Sequence, residues 1–79
     1  MNLNLLAETR NKKGFTQNYM AKKLNYKSKA SYSLIENGKS KITIDLALKI
    51  KDILNLNEDE FRKIFFMNKV LESQTSKAL

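Results

Sequence analysis

Lys13-Gly14-Phe15-Thr16-Gln17-Asn18-Tyr19-Met20-Ala21-Lys22-Lys23-Leu24, followed after a short turn by Ser33-Leu34-Ile35-Glu36-Asn37-Gly38-Lys39, is the stretch that decides how this chain folds. Gly14 can close one helix, and Thr16 is a good N-cap for the next. Met20, Ala21 and Leu24 then form a short apolar stripe, which predicts a helix of about two turns near 17–24. Asn25-Tyr26-Lys27 reads as a polar break. Ser28 can cap a third helix over about 29–36, with Tyr32 and Ile35 on its buried face. Asn37-Gly38 stops it, since both residue types tolerate the left-handed conformation.

The pattern extends outward in both directions. Leu3, Leu6 and Arg10, with Leu5 beside them, mark one face of a helix from about 3 to 13, with Lys12 and Lys13 suited to its negative end. Phe15 follows as a core plug. After the basic loop Lys39-Ser40-Lys41, Thr43 caps a fourth helix carrying Ile44, Leu46, Ala47, Ile50, Ile53 and Leu54. Asn57 with Glu60 makes a capping-box start for a fifth helix, in which Phe61, Ile64, Phe65 and Leu71 continue to about residue 72. Residues 73–79 read as a flexible tail. The expectation is an all-α domain of five helices over residues 1–72.

Composition narrows the chemistry. The 79 residues have room for one small core. No cysteine is present, so disulfides and thiolate metal sites are excluded, and no histidine is present to serve as metal ligand or as a general base near neutral pH. No metal, cofactor or small-molecule ligand is expected. The acids at 58–60 are better explained by helix capping than by catalysis, so an enzyme is not expected. The longest apolar run, Ile64 to Met67, is far short of the roughly 20 residues that span a bilayer. Met1-Asn2-Leu3-Asn4 has neither the basic nor the apolar region of a signal peptide. A cytoplasmic protein without membrane contact is the expectation.

The charge of +7 is not evenly spread. Between Arg10 and Lys41 nine basic residues face a single acid, Glu36, whereas residues 42–79 are neutral overall. A basic half on a short chain points to an anionic partner.

Lys13-Gly14-Phe15-Thr16-Gln17, Met20-Ala21 with Leu24, and Ile35-Glu36-Asn37-Gly38 stand at the spacing of a known pattern. The stretch resembles the Xre family of helix-turn-helix regulators, the group that includes lambda-type phage repressors and Cro, and the likeness covers about residues 3–66. It implies a five-helix lambda-repressor-like domain with helices two and three as the DNA-binding unit. The turn Asn25-Tyr26-Lys27 is one residue longer than the commonest family form, which leaves the start of the third helix open and lets Lys27 reach either a base or a phosphate.

In a helix-turn-helix the second helix crosses the DNA backbone and the third enters the major groove. Gln17, in the first turn of helix two, can meet a phosphate, or it is simply a solvent-exposed helix start. The outward face of helix three is Lys29, Ala30, Ser31, Ser33 and Leu34, with Ser28 at its cap. Lys29 can donate to guanine, Ala30 or Leu34 can touch a thymine methyl, and serines can pair with bases or phosphates. The resemblance makes Lys29, Ala30 and Leu34 the base readers, although Leu34 could equally pack. Lys39 and Lys41 belong to the backbone-holding loop. Asn37 is either a phosphate donor or a left-handed cap. The resemblance also implies a partly buried pair between Arg10 and Glu36.

Function follows from these implications. A sequence-specific repressor of phage, plasmid or mobile-element type, bacterial or phage-encoded, would bind an inverted repeat in double-stranded DNA as a homodimer. Phe66, Met67 and Val70 are candidates for the dimer surface. The alternatives are a protein-docking module of antitoxin or adaptor type, or a restriction-modification controller. The concentration of charge around helices two and three favours DNA over protein docking.

Overall fold

The computed structural model describes residues 1–66, and these form five helices: α1 (Leu3–Lys12), α2 (Gln17–Lys23), α3 (Lys29–Glu36), α4 (Ile44–Leu54) and α5 (Glu58–Phe65). The described residues are all-α. The expected continuation of the fifth helix to 72, the residues Met67 and Val70, and the tail 73–79 lie outside them. Within them, α5 ends at Phe65, and Phe66 leaves helical geometry at φ −126°, ψ −19°.

One device closes each of the first four helices. Gly14, Asn25, Gly38 and Asn55 all take the left-handed conformation, with φ of +86°, +62°, +77° and +54°. The N–H of the following residue then reaches back five positions: Phe15 to Arg10, Tyr26 to Ala21, Lys39 to Leu34 and Leu56 to Lys51, at 2.8–3.1 Å. This is the Schellman closure, in which the residue after the left-handed one is usually apolar and packs back on the helix. Phe15, Tyr26 and Leu56 fit that rule and join the core or its margin. Asn25 is therefore the stop for α2, so the polar break of the sequence is an ordered turn. Asn37 is not left-handed (φ −88°); Gly38 alone takes that role, one residue later.

Starts are equally economical. Asn2, Thr16, Thr43 and Asn57 each accept a backbone N–H from three residues on, at 2.7–3.1 Å. Asn57 and Glu60 complete a reciprocal capping box. Phe15 and Leu56 each serve two helices, as the apolar residue after one stop and before the next cap. The α1–α2 and α4–α5 connections are consequently almost nothing but caps. At α3, Ser28 holds the cap position, but its side chain makes no capping bond.

The core is built from one stripe of each helix: Leu6, Met20 and Ala21, Tyr32 and Ile35, Ala47, Ile50 and Leu54, then Leu56, Ile64 and Phe65. Asn2 N–H donates to the Ile64 carbonyl at 2.6 Å, fixing the start of α1 to α5. Lys13 and Glu60 meet at 3.5 Å and join the other end of α1 to the start of α5. Ile44 departs from its expected place. It is 64% exposed, because the buried stripe of α4 runs through Ala47, Ile50 and Leu54 and leaves Ile44 and Leu48 turned away.

A Cβ at Gly14 would meet nothing within 4 Å, so only backbone conformation restrains that position. Gly14→Ala should lower stability by about 1–2 kcal/mol in urea unfolding, the penalty for a side chain in the left-handed region. Asn25→Gly should not lower it.

Candidate nucleic-acid interface

Glu36, the last residue of α3, is the centre of a small polar knot. Arg10 Nε donates to its Oε2 at 2.6 Å and Arg10 Nη2 to its Oε1 at 3.2 Å, a two-pronged contact with both side chains under 10% exposed. Arg10 Nη1 donates to the Phe15 carbonyl at 2.8 Å, so the same guanidinium braces the α1–α2 turn. Gln17 Nε2, from the start of α2, donates to Glu36 Oε1 at 3.0 Å. Three helices are thereby fixed to one carboxylate. The buried Tyr32 hydroxyl lies beside the pair but outside good hydrogen-bonding geometry with any described residue.

These contacts set the protonation states. Burial works against the charge on Glu36, but the donors of Arg10, the neighbouring Tyr32 hydroxyl and Gln17 outweigh it and hold the carboxyl below its ordinary value of 4.5. The hydrogen bond from Arg10 to Glu36 raises the guanidinium further above its usual range, against the opposing effect of burial. Burial, reinforced by the Glu36 charge, drives the Tyr32 phenol well above its normal value.

Held this way, α3 presents Lys29, Ala30 and Leu34 to solvent, with Ser31 and Ser33 half-buried at the edges. Leu34 is 45% exposed and is not a packing residue. Tyr32 and Ile35 anchor the opposite face in the core with no residual exposure. Asn37 is exposed and makes a long 3.4 Å contact from its amide to Ser33 Oγ.

Both ends of α3 differ from the other helices. The residue before its cap is Lys27, where Phe15, Ile42 and Leu56 stand before α2, α4 and α5. The residue after its left-handed stop is Lys39, where the other closures have Phe15, Tyr26 or Leu56. Lysine thus replaces the usual apolar plug at each end of this one helix. Lys39 and Ser40 both donate their backbone N–H to the Leu34 carbonyl, at 2.9 and 3.2 Å, which ties the start of the basic loop to the last turns of α3.

The lysines are uncommitted. Arg10 and Lys13 are paired with acids, but Lys12, Lys22, Lys23, Lys27, Lys29, Lys39 and Lys41 have no acid within 4 Å among the described residues. In α4 and α5, Lys51, Arg62 and Lys63 face Glu58 and Asp59, and Lys49 is the one base of these two helices without an acid within 4 Å among the described residues. Lys22 and Lys23 were not singled out by the sequence pattern; the absence of any acid near them along the chain is the signal that marks them. Asn18 is a further addition. It shares with Asn11, Thr16, Gln17 and Lys29 an open cleft of about 650 Å³ between the α1–α2 turn and the start of α3. Gln17 itself faces inward to Glu36, with its second amide hydrogen unpaired among the described residues. Those residues hold no cluster of carboxylates suited to a metal ion, and none of their helices is long and apolar enough to cross a membrane.

Removing one partner of a buried pair leaves the other charge uncompensated. Arg10→Met should lower stability by about 3–5 kcal/mol, a large share of the roughly 5–15 kcal/mol of a small domain. The pH dependence has a definite sign. A carboxyl whose folded value is depressed contributes stability above pH 4.5, and that contribution disappears as pH falls through the lowered folded value. Urea midpoints between pH 6 and pH 2 should therefore fall steeply for the native chain below about pH 4.5. Glu36→Gln should be less stable at pH 6 and flatter over the acid range.

The helix-turn-helix family model matches residues 6–61, from within α1 to the first half of α5. No curated protein and no solved structure gives a significant match to the chain. Five helices, a capped turn between α2 and α3, and a match over most of the sequence agree: the chain belongs to the helix-turn-helix family, in its Xre, lambda-repressor-like branch of DNA-binding regulators.

Proposed function

We propose that this protein is a sequence-specific regulator that inserts α3 into the major groove of double-stranded DNA and acts as a repressor of phage, plasmid or mobile-element type. The observation that carries this is α3 itself: an exposed face of small and apolar side chains, with lysine at the positions before its cap and after its stop where the other helices have plugs. Lys29 is the hydrogen-bonding base reader, suited to guanine O6 and N7, with Ala30, Ser31, Ser33 and Leu34 alongside. Ser28, whose hydroxyl makes no capping bond, is available at the helix start. Lys27, Lys39 and Lys41 flank the groove and hold phosphates, aided by Asn37 and by the second amide hydrogen of Gln17. A protein-docking module has no need of a segment, Arg10 to Lys41, in which nine basic residues meet a single inward-facing acid. A regulator of this kind acts where the DNA is, in the bacterial cytoplasm.

Dimeric binding to an inverted repeat is part of the proposal, with half-sites about 34 Å apart. Its support is an exposed apolar patch. Phe66 is 52% exposed, and with Met1 and Ile44 it rims a small cleft at the start of α4, with Leu48 one turn further on. The charges on α4 and α5 nearly balance, so two copies can approach there without the repulsion their basic halves would create.

Lys29→Ala should change which base is preferred at one operator position. Lys41→Ala should weaken specific and random DNA alike and reduce the salt slope by about one unit. Equal effects of the two variants on random DNA, with no change in preference, would refute base contact by Lys29. In sedimentation, Ile44→Glu and Phe66→Glu should be folded monomers where the native chain is a dimer. A native monomer at high concentration would refute the dimer.

A further inference from the structure

Asn37-Gly38 is the one place in the sequence where a glycine follows an asparagine. An asparagine side-chain carbonyl is open to attack by the next residue's backbone nitrogen, and a following glycine, lacking Cβ, hinders that attack least. The two left-handed asparagines are shielded. Asn25 and Asn55 precede Tyr26 and Leu56, whose side chains pack in the core or against it. The Asn37 side chain is exposed, and among the described residues its amide has only the long 3.4 Å contact to Ser33 Oγ.

The fold restrains this chemistry. Ring closure needs the Gly38 nitrogen and the Asn37 Cβ on the same side of the Cα–C bond, and the observed ψ of −1° holds them apart. Turning that bond takes the Gly38 N–H off the Ile35 carbonyl, and the Lys39 and Ser40 N–H groups off the Leu34 carbonyl. The stop that ends α3 must therefore open first. We infer that Asn37 is a deamidation site gated by this stop, and that its conversion to an acid weakens DNA binding irreversibly.

In the first step the Gly38 nitrogen bonds to Asn37 Cγ, its proton passes to solvent, and the side-chain nitrogen leaves as ammonia. Water then cleaves one of the two carbonyl–nitrogen bonds of the ring. One cut leaves aspartate on an ordinary main chain, and the other leaves isoaspartate, whose main chain runs through Cβ. No electrons are gained or lost. Either product puts a second acid into the Arg10–Lys41 segment, beside Glu36 and at the negative end of the α3 dipole. Isoaspartate also lengthens the main chain by one carbon, about 1.5 Å. The Gly38, Lys39 and Ser40 amides then lose register with the Ile35 and Leu34 carbonyls, and the stop no longer closes. The effect on binding rests on α3 being the groove helix, as proposed above; the modification does not.

The full chain is aged at mildly alkaline pH, in native buffer and in urea. Peptide mapping follows the mass gain of an amide becoming an acid, and an isoaspartate-specific methyltransferase marks the isomer. The peptide holding residues 37 and 38 should react before any other and give both products. Native buffer should slow it at least about tenfold relative to urea, a ratio set by the cost of opening the stop. The aged native protein should bind a random DNA duplex about tenfold more weakly than fresh chain at low salt, with the gap narrowing as salt rises. Asn37→Asp, which carries the charge without the longer main chain, should show the salt-dependent loss from the start. Asn37→Ser should gain no mass there and keep its own starting affinity throughout. Equal rates in native buffer and urea overturn the inference, as does a native chain that stays unmodified at this position. Aged, modified protein that binds DNA as well as fresh protein also overturns it. A fresh chain that binds no DNA overturns the proposed function instead, and the gated modification is still read by mass.

Discussion

One carboxylate ties the basic half of this protein together. Glu36 accepts from Arg10 on α1 and Gln17 on α2 while standing at the end of α3, so the relative pose of three helices depends on a single side chain. The placement is economical in charge. Glu36 is the only acid between Arg10 and Lys41, and its charge is directed inward to a buried guanidinium. The surface around α3 is left positive with no internal acid to neutralise it. A buried ion pair seldom contributes much net stability compared with an apolar replacement. In the proposed role its worth would lie in fixing orientation, since a base-reading helix displaced by an ångström loses its hydrogen bonds.

Around that knot the fold is made mainly of helix ends. Four left-handed stops and four side-chain caps leave few residues in loops, and Phe15 and Leu56 each act in two ends at once. So short a chain has little core to stabilise it, and capping of this density supplies part of the difference. The departure from the scheme at α3 is informative for the same reason. Where the other helices direct apolar residues inward, this one directs Lys27 and Lys39 outward.

Much of this was legible in the sequence. Gly14, Thr16, Thr43, Asn57 and Glu60 announce helix ends by chemistry that acts over three or four residues, and the Tyr32 and Ile35 stripe follows from helical spacing. What escaped depends on geometry across the chain. Ile44 looks like a core residue by composition, but its direction is set by which stripe of α4, Ala47, Ile50 and Leu54, turns to the core. Asn37 and Gly38 are both acceptable in a left-handed turn, and only the length of α3 decides that Gly38 takes it. Gln17 reads as a free helix-start residue until Glu36, nineteen positions away, is brought beside it. Whether Leu34 packed or stood exposed could not be read from periodicity, because its angular position lies at the margin of the stripe.

In the proposed complex, the double acceptance at the Leu34 carbonyl would decide what must be ordered when binding happens. Backbone that is loose before contact must be fixed on contact, at about 1–2 kcal/mol per residue. Lys39 and Ser40 have their amides tied to the turn of helix that carries Leu34. Their backbone is thus ordered at folding, and contact leaves chiefly side-chain rotamers to settle, at about 0.5–1.5 kcal/mol each. In the proposed complex Lys39 would arrive with its backbone already fixed to α3. An encounter steered by charge can then pass to a seated complex without a separate loop-closing step.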